Sequence, residues 1–551
     1  MKEETKNLYT AIILSMLVIF GVNHFFAPNQ VQNTQKQVVE AAPEVEKTQE
    51  VKKAVSLPVN EVLKEDERAE IETPSVNGSV RLKGARFDFL ELKKYKQTIE
   101  KDSPDVGLLA PIGSENTYFA EFGFLSANPS DVPSSDSVWQ NKGTKLTPST
   151  PLVLEWDNGK GLKFLRKIEI DEHYLMTISD EVQNKTDKDV TLYPFGRIYR
   201  VYDTKNDVRS VVHEGITGVI DGAAKEIKLN DVKQGEPKTF EAKQAWLGFS
   251  DRYWFTAFVI NGTSQNNISL SNNGNNTYQV DFRAEPVQVA ANNSKTQTVQ
   301  FFAGAKEIKL LDQYTKNGIK KFDLAVDFGW YYFLTKPFFY ILDFLYKLIG
   351  NMGWAILLFA ALLRLFMFPI ANKSYESMSK MKKVQPKVMA LQAMFKDNKA
   401  LLQQKTMELY KKEKINPASG CLPMFIQIPI FFSLYKVLNI AIEIRHAPFI
   451  GWVKDLSAPD PLTISVWSHV PLPSVLDIGV WPILMGLTMW VQQKLNPAPT
   501  NKDQALMFTM LPLIFTLMLG HFAVGLVIYW TLSNLLSILQ QKAIMRKNGV
   551  K

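Results

Sequence analysis

The chain has 551 residues, 63 lysines and arginines against 55 aspartates and glutamates, a net charge of +8, and one cysteine, Cys421. A single cysteine excludes an intramolecular disulfide, so each domain must be held by its own core. The positive balance does not by itself point to nucleic acid, because residues 73–325 read as soluble while 349–544 are mostly apolar.

Residues 2–7 are polar, and Leu8 to Phe26 form an apolar run as long as a full membrane span. Phe25 and Phe26 precede Ala27 and no small-x-small cleavage pattern follows the run, so residues 1–27 read as an uncleaved signal-anchor helix rather than a removed signal. Residues 28–75 combine charge, proline and few aromatics, and read as a flexible linker.

Within 76–325 the apolar period changes to two. Val80, Leu82, Phe87, Phe89 and Leu92 alternate with polar residues, and Leu152–Trp156 and Leu162–Ile170 flank the turn signal Asp157-Asn158-Gly159. Further strands are predicted at Tyr174–Val182, Val190–Tyr202, Tyr253–Ile260, Tyr278–Arg283 and Thr296–Ala303, which makes a large antiparallel β-sandwich. This domain has no nucleophile elbow and no phosphate loop, and His213 to Thr217 stops short of a zinc-binding HExxH. His173 and His213, near Glu169, Asp171 and Glu214, read as surface histidines rather than an acid–base pair. The domain reads as a scaffold or docking surface, with no catalytic, metal or cofactor site. Residues 326–350, crowded with Trp330, Tyr331, Tyr332, Phe338, Phe339 and Phe344 and punctuated by Asp343 and Lys347, predict an amphipathic helix at the headgroup level.

Residues 351–544 form the predicted membrane core. Its first span, Met352 to Ile370, contains Arg364, and a charge at bilayer depth costs at least about 2.5 kcal/mol. The following segment, 372–416, is rich in lysine, and short loops of that kind stay cytoplasmic. The β domain is therefore expected on the exported side, with both termini cytoplasmic. Met378, Met381, Val384, Val388, Leu391 and Phe395, then Leu402, Met407 and Tyr410, predict a two-helix hairpin. Its lysines Lys380, Lys382, Lys383, Lys387, Lys411 and Lys412 either dock a partner such as the ribosome or lie on anionic lipid. Spans at Leu422–Ile442, Leu476–Val491, Ala505–Leu519 and Val524–Leu539 complete an expected six, and 545–551 is a basic tail. The last two spans are short, which thins the bilayer around them.

Arg364 falls in the inner half of its span. No aspartate or glutamate lies deep in any span, the nearest being Asp343, Glu443 and Asp477. A hydrated cavity open to the cytoplasm keeps such a cation charged, in preference to snorkelling of the kind expected for Lys436. Gln427, Gln492, Ser533 and Asn534 are candidates for its lining.

The run Arg364 to Pro369, the segment Lys411 to Pro417, then Gly420 to Phe431 and Gly525 to Asn534, resembles in order the YidC family of membrane protein insertases. The resemblance covers the whole architecture. It implies a polytopic α-helical protein of the bacterial inner membrane with six transmembrane helices, a five-helix insertase core and a large periplasmic antiparallel β-sandwich domain similar to sugar-mutarotase folds. It implies a positively charged groove at Arg364 and Gln427, with Tyr529, Trp530, Ser533 and Asn534 beside them. A substrate slide is implied on the helices that carry Met424, Ile428, Phe431, Phe432, Leu511 and Phe515. The implied partners are nascent membrane proteins, the ribosome, membrane lipids and the Sec translocon, without specific nucleic-acid sequence, cofactor or enzymatic step. Ala360 stands where some relatives have threonine, Tyr529-Trp530 replaces a common tyrosine pair, and Pro459 to Ser474 lengthens an exported loop. A rival reading is a small-anion transporter or channel using Arg364, although no pair of broken helices repeats in matching halves.

Overall fold

The computed structural model describes residues 57–202, 213–395, 398–416, 422–497 and 502–550. The Leu8–Phe26 run, most of the expected linker and Cys421 lie outside them, as do the side chains of Lys399, 422–424 and 502–505.

The β domain begins earlier than the charge run suggested. Strand Arg68–Glu72 pairs antiparallel with Val76–Arg81, so the expected linker is already folded at its end. Its charges are spent inside the sheet: Arg68 binds Asp88, and Arg81 binds Asp66. Cross-strand pairing turned a composition typical of disorder into an edge of the fold. The next hairpin departs from simple alternation. A bulge between Ser79 and Val80 shifts the register, so Phe87, Leu90 and Leu92 are buried while Phe89 is only half-buried.

Seventeen strands form one connected antiparallel network among the described residues. At its centre Val190–Val201 pairs with Tyr118–Leu125 on one side and Thr277–Ala284 on the other. Leu152–Asp157 and Leu162–Ile170 form the expected hairpin, but through a longer turn in which Asn158 Oδ1 accepts from the Lys160 and Leu162 amides and Gly159 and Gly161 take positive φ. The strand expected at Tyr253–Ile260 is longer: Trp254–Gly274 runs 21 residues across Lys238–Ser250, Thr277–Ala284 and Asn293–Ala305. Phe87, Phe122 and Phe301 meet in the core with ring centroids 5.6 to 6.0 Å apart. Three buried arginines are paired: Arg86 and Arg197 share Glu121, Arg197 reaches Asp281, and Arg166 grips Asp180 through both oxygens at 2.7 and 2.8 Å, while buried Lys306 donates to Ser250 Oγ at 3.1 Å.

Helix Ile308–Lys316 closes this domain, and helix Tyr332–Ile349 leads away from it. The second buries Phe338, Phe339, Leu342 and Leu345 and exposes Phe333, Phe344 and Leu348, an amphipathic division. Then comes one continuous helix, Met352–Met394, of 43 residues. The Arg364 span and the first arm of the hairpin are thus a single element, about 65 Å long. Lys399–Lys412 is the returning arm, tied back by Lys387 to Glu413 at 2.6 Å. Among the described residues four long helices follow, Leu422–Ile440, Val480–Leu495, Lys502–Leu519 and Val524–Lys547, with the short Ile464–Ser468 between the first two. The last extends into the expected basic tail.

Among the described residues, only Met352–Met394 is both long and apolar enough to cross a bilayer, while Phe425–Ile440 and Leu506–Leu519 are shorter apolar stretches. The helix Val524–Lys547 has the length but carries polar side chains at intervals, which lowers its hydropathy.

The two regions are docked through named contacts. Arg252 donates to the Asn439 carbonyl at 2.6 Å and to its side-chain oxygen at 3.1 Å. Arg445 donates to Gln97 O and lies over the rings of Tyr253 and Trp254. Glu443 accepts from the Ile308 amide, at the start of the Ile308–Lys316 helix. Lys436, expected to snorkel, instead binds Asp327. All four residues lie at or just beyond one end of Leu422–Ile440, so the β domain fixes that helix where it emerges.

Candidate functional site

Arg364 lies one third of the way along Met352–Met394, half-buried. The guanidinium donates to Tyr375 Oη at 2.6 Å, eleven residues further along the same helix. It makes no ion pair among the described residues, and its Nε is buried without a partner. The three carboxylates that border the expected spans are engaged elsewhere: Asp343 with Lys309 and Lys347, Glu443 with the Ile308 amide, and Asp477 with Ser465 and Thr463.

A small cavity adjoins the arginine, lined by Ala360, Leu363, Arg364, Met367, Ile426, Gln427, Tyr529 and Ser533 among others. The space that water centres can occupy is about 20 Å³, room for about one molecule. Gln427 Nε2 donates to Tyr529 Oη at 3.1 Å, which joins Leu422–Ile440 to Val524–Lys547 across it. Ser533 lies one turn beyond Tyr529, on the same face. Ala360 is buried in the wall, so it adds no polar group, and the polar shell comes from Tyr375, Gln427, Tyr529 and Ser533.

Two residues expected at this groove lie elsewhere. Trp530 packs on Phe431 at 4.6 Å and Phe515 at 5.7 Å, on the side away from Arg364, because adjacent helical residues diverge by about 100°. Asn534 is buried and donates to Thr488 Oγ1 at 3.1 Å, holding the Val480–Leu495 helix. Gln492, also a candidate, is not part of the cavity wall. Sequence reasoning missed Tyr375 and did not foresee that Val524–Lys547 carries a ladder of polar rungs: Tyr529, Asn534, Gln540 and Gln541 each bond a different position on neighbouring helices or the adjoining loop. Their recurrence along one largely apolar helix, at spacings of five, six and one residues, was the available signal.

Of the expected slide residues, Ile428 and Phe432 are exposed, Phe431, Leu511 and Phe515 are half-buried, and the Met424 side chain lies outside the described residues. Trp530 bridges the two helices that carry them, touching Phe431 on one and Phe515 on the other. Beside them Phe425, Met510, Leu513, Ile514 and Met518 are exposed, a broad apolar face. At the hairpin, Lys380, Lys383, Lys411 and Lys412 are exposed and Lys382 is half-buried, whereas Lys387 is spent on Glu413. Among the described residues no group of histidines, cysteines and carboxylates has the arrangement to hold a metal. His213 borders a large cleft of the β domain with Arg200, Tyr202, Asp251 and Trp254, and His173 is not among the residues lining it. The two histidines do not make one site.

The two regions match two families end to end. Residues 68–341 match the YidC periplasmic domain and residues 344–550 match the 60Kd inner membrane protein. The protein is thus an inner-membrane protein with a periplasmic, β-rich domain and a helical region in which Arg364 makes no ion pair among the described residues. The chain belongs to the YidC family of membrane protein insertases, whose work is not enzymatic. It is 43% identical to the membrane protein insertase YidC of Beijerinckia indica over 100% of this chain and 97% of that one, and 44% identical to that of Rickettsia rickettsii over 98% and 99%. A solved structure of an active YidC insertase with its first transmembrane domain resolved aligns over 86% of this chain and 92% of that chain, at 16% identity and a TM-score of 0.37. Likeness at that level adds nothing to the assignment, which rests on the sequence relatives.

Proposed function

We propose that this insertase receives the polar end of a newly made membrane protein at the Arg364 cavity, while the client's apolar segment leaves along the face formed by Leu422–Ile440 and Lys502–Leu519. The observation that carries this reading is the arginine itself: a cation at bilayer depth with no carboxylate among the described residues, beside a cavity lined by Gln427, Tyr529 and Ser533. A carboxylate arriving there meets a charge that counts for more than in water, because the surroundings are less polarisable. Burial of the apolar segment in lipid then drives release. The membrane potential adds about 2.3 kcal/mol per charge per 100 mV and pulls an acidic tail outward, the same sense as the attraction to Arg364.

The lysine-rich hairpin lies in the cytoplasm, where its exposed lysines receive the ribosome. Six spans, with the run Leu8–Phe26 as the first, place both termini on that side. The protein works alone or with the Sec translocon. Photo-crosslinkers at Gln427 and Ser533 test the path, since Leu526 to Tyr529 and Thr531 are buried inside the bundle and report on packing instead. Capture of a stalled client at those two positions is expected; capture only at Phe366, Leu539 or other outward positions refutes the groove. Arg364→Ala is expected to slow acidic-tailed clients about tenfold relative to neutral-tailed ones, the equivalent of about 1.4 kcal/mol. Chloride flux through the purified protein in liposomes tests the rival anion pathway.

A further inference from the structure

We infer that Tyr375 is a positioning residue for the insertion reaction: its phenol holds the Arg364 guanidinium at the cavity by a hydrogen bond that a client carboxylate displaces. The inference rests on the groove reading above and adds a residue to it.

Arg364 and Tyr375 are separated by eleven residues of one helix, about three turns, which puts them on the same face with about 16 Å of rise between them. Only two long side chains extended toward each other close that distance. The guanidinium donates to Oη at 2.6 Å, with its central carbon 5.8 Å from the ring centroid. Tyr375 is 4% exposed, so its ring is fixed by packing and the arginine is drawn toward it. Pro369 lies between them and cannot donate to the Leu365 carbonyl, which loosens the helix where the two side chains must align.

The chemistry of the acceptor decides what this contact does. A phenol oxygen accepts one N–H without neutralising the cation, so Arg364 keeps its full charge while its orientation is set. A carboxylate in the same place would quench it. Charge-assisted hydrogen bonds are about twice as strong as those to neutral acceptors, so an incoming aspartate or glutamate outcompetes the phenol. The buried, unpartnered Nε supplies a second donor for that carboxylate. Once displaced, the Tyr375 hydroxyl can turn and donate to the same carboxylate. The resting bond is therefore weak enough to give way and short enough to aim.

The full chain in proteoliposomes is tested with two forms of one client, its amino-terminal tail carrying either two aspartates or two asparagines. Arg364→Ala alone tests the groove reading, and loss of the preference for the acidic tail is expected. Tyr375→Phe keeps the packed ring and removes the acceptor. It is expected to lower the ratio of acidic-tailed to neutral-tailed insertion about fivefold, and to lower it no further when Arg364 is already alanine. Tyr375→His, which restores an acceptor on a ring, is expected to keep the ratio within about twofold of the wild type. Equal slowing of both clients by Tyr375→Phe, or an undiminished effect in the Arg364→Ala background, would overturn the role of the phenol while leaving the groove reading intact. A ratio for Tyr375→His as low as for Tyr375→Phe would do the same. Retention of the acidic preference by Arg364→Ala would overturn both.

Discussion

The periplasmic β domain and the membrane region treat their inward-facing arginines in opposite ways. In the β domain Arg86, Arg166 and Arg197 are buried and each is bound by a carboxylate, Arg166 through both oxygens of Asp180 and again to the Phe122 carbonyl. In the membrane region Arg364 meets a phenol and a cavity. The first arrangement is closed: removing one partner strands the other in a medium that cannot solvate it. The second is left open, so that a charge from outside can complete it. Between them lies the docking surface at Asn439, Glu443 and Arg445, which shares features of both.

The largest effect that sharpens this contrast is expected from Arg166→Ala. It leaves Asp180 buried and unpaired, and should destabilise the β domain by about 3 to 5 kcal/mol, read as a lower thermal midpoint and new protease cuts between residues 68 and 305. If the domain tolerated the change as easily as the membrane region tolerates its lone arginine, the contrast would fail. Next comes pH at the docking surface. Burial raises the Glu443 carboxyl to about 7, with Glu307 and Asp343 pushing the same way and the Ile308 amide opposing. A carboxyl whose folded pKa lies above its ordinary 4.5 favours the docked state in its protonated form. Docking should therefore be firmest below about pH 4.5, loosen as pH climbs through 7 and then stay level, a change on the order of 3 kcal/mol. Amide exchange of residues 436–445, corrected for intrinsic rate, should follow that course in the wild type and lose its slope in Glu443→Gln.

A smaller change is expected from Asn439→Ala, which removes one of the two oxygens that receive Arg252. About 1 to 2 kcal/mol should be lost, seen as faster exchange in the same segment without unfolding of either region. The smallest belongs to the hairpin. Lys387→Ala breaks an exposed ion pair with Glu413, and should cost less than about 1 kcal/mol and disappear at high salt in a circular-dichroism melt.

Much of this architecture was legible because it is written in local periods. The alternation of two located the β domain, the apolar length of Met352 to Ile370 located the span, and the lysine density located the hairpin. What the periods hid was continuity and pairing. Nothing at Ile370 or Asn372 tells a reader that the helix runs on to Met394, since the apolar stretch ends there while the backbone hydrogen bonding does not. The run Lys64 to Arg68 looks disordered until its partners Arg81 and Asp88 arrive from the next strands. The cavity was legible in Arg364, Gln427 and Ser533 because polar groups are rare among apolar ones. Tyr375 escaped notice because a tyrosine in a lysine-rich segment is unremarkable until three turns of helix bring it to the arginine.

That unbroken helix has a mechanical consequence. Arg364 lies about 18 Å from one end of Met352–Met394 and about 45 Å from the other, at 1.5 Å per residue. Near the first end, Gly353 is pressed against Phe449 so closely that an added Cβ would come within 2.0 Å of that ring, and measured from that contact the hairpin end of the helix lies about 62 Å away and Arg364 about 16 Å. A tilt of the whole helix about that contact would move the guanidinium about a quarter as far as the hairpin end, a fine adjustment from a coarse one.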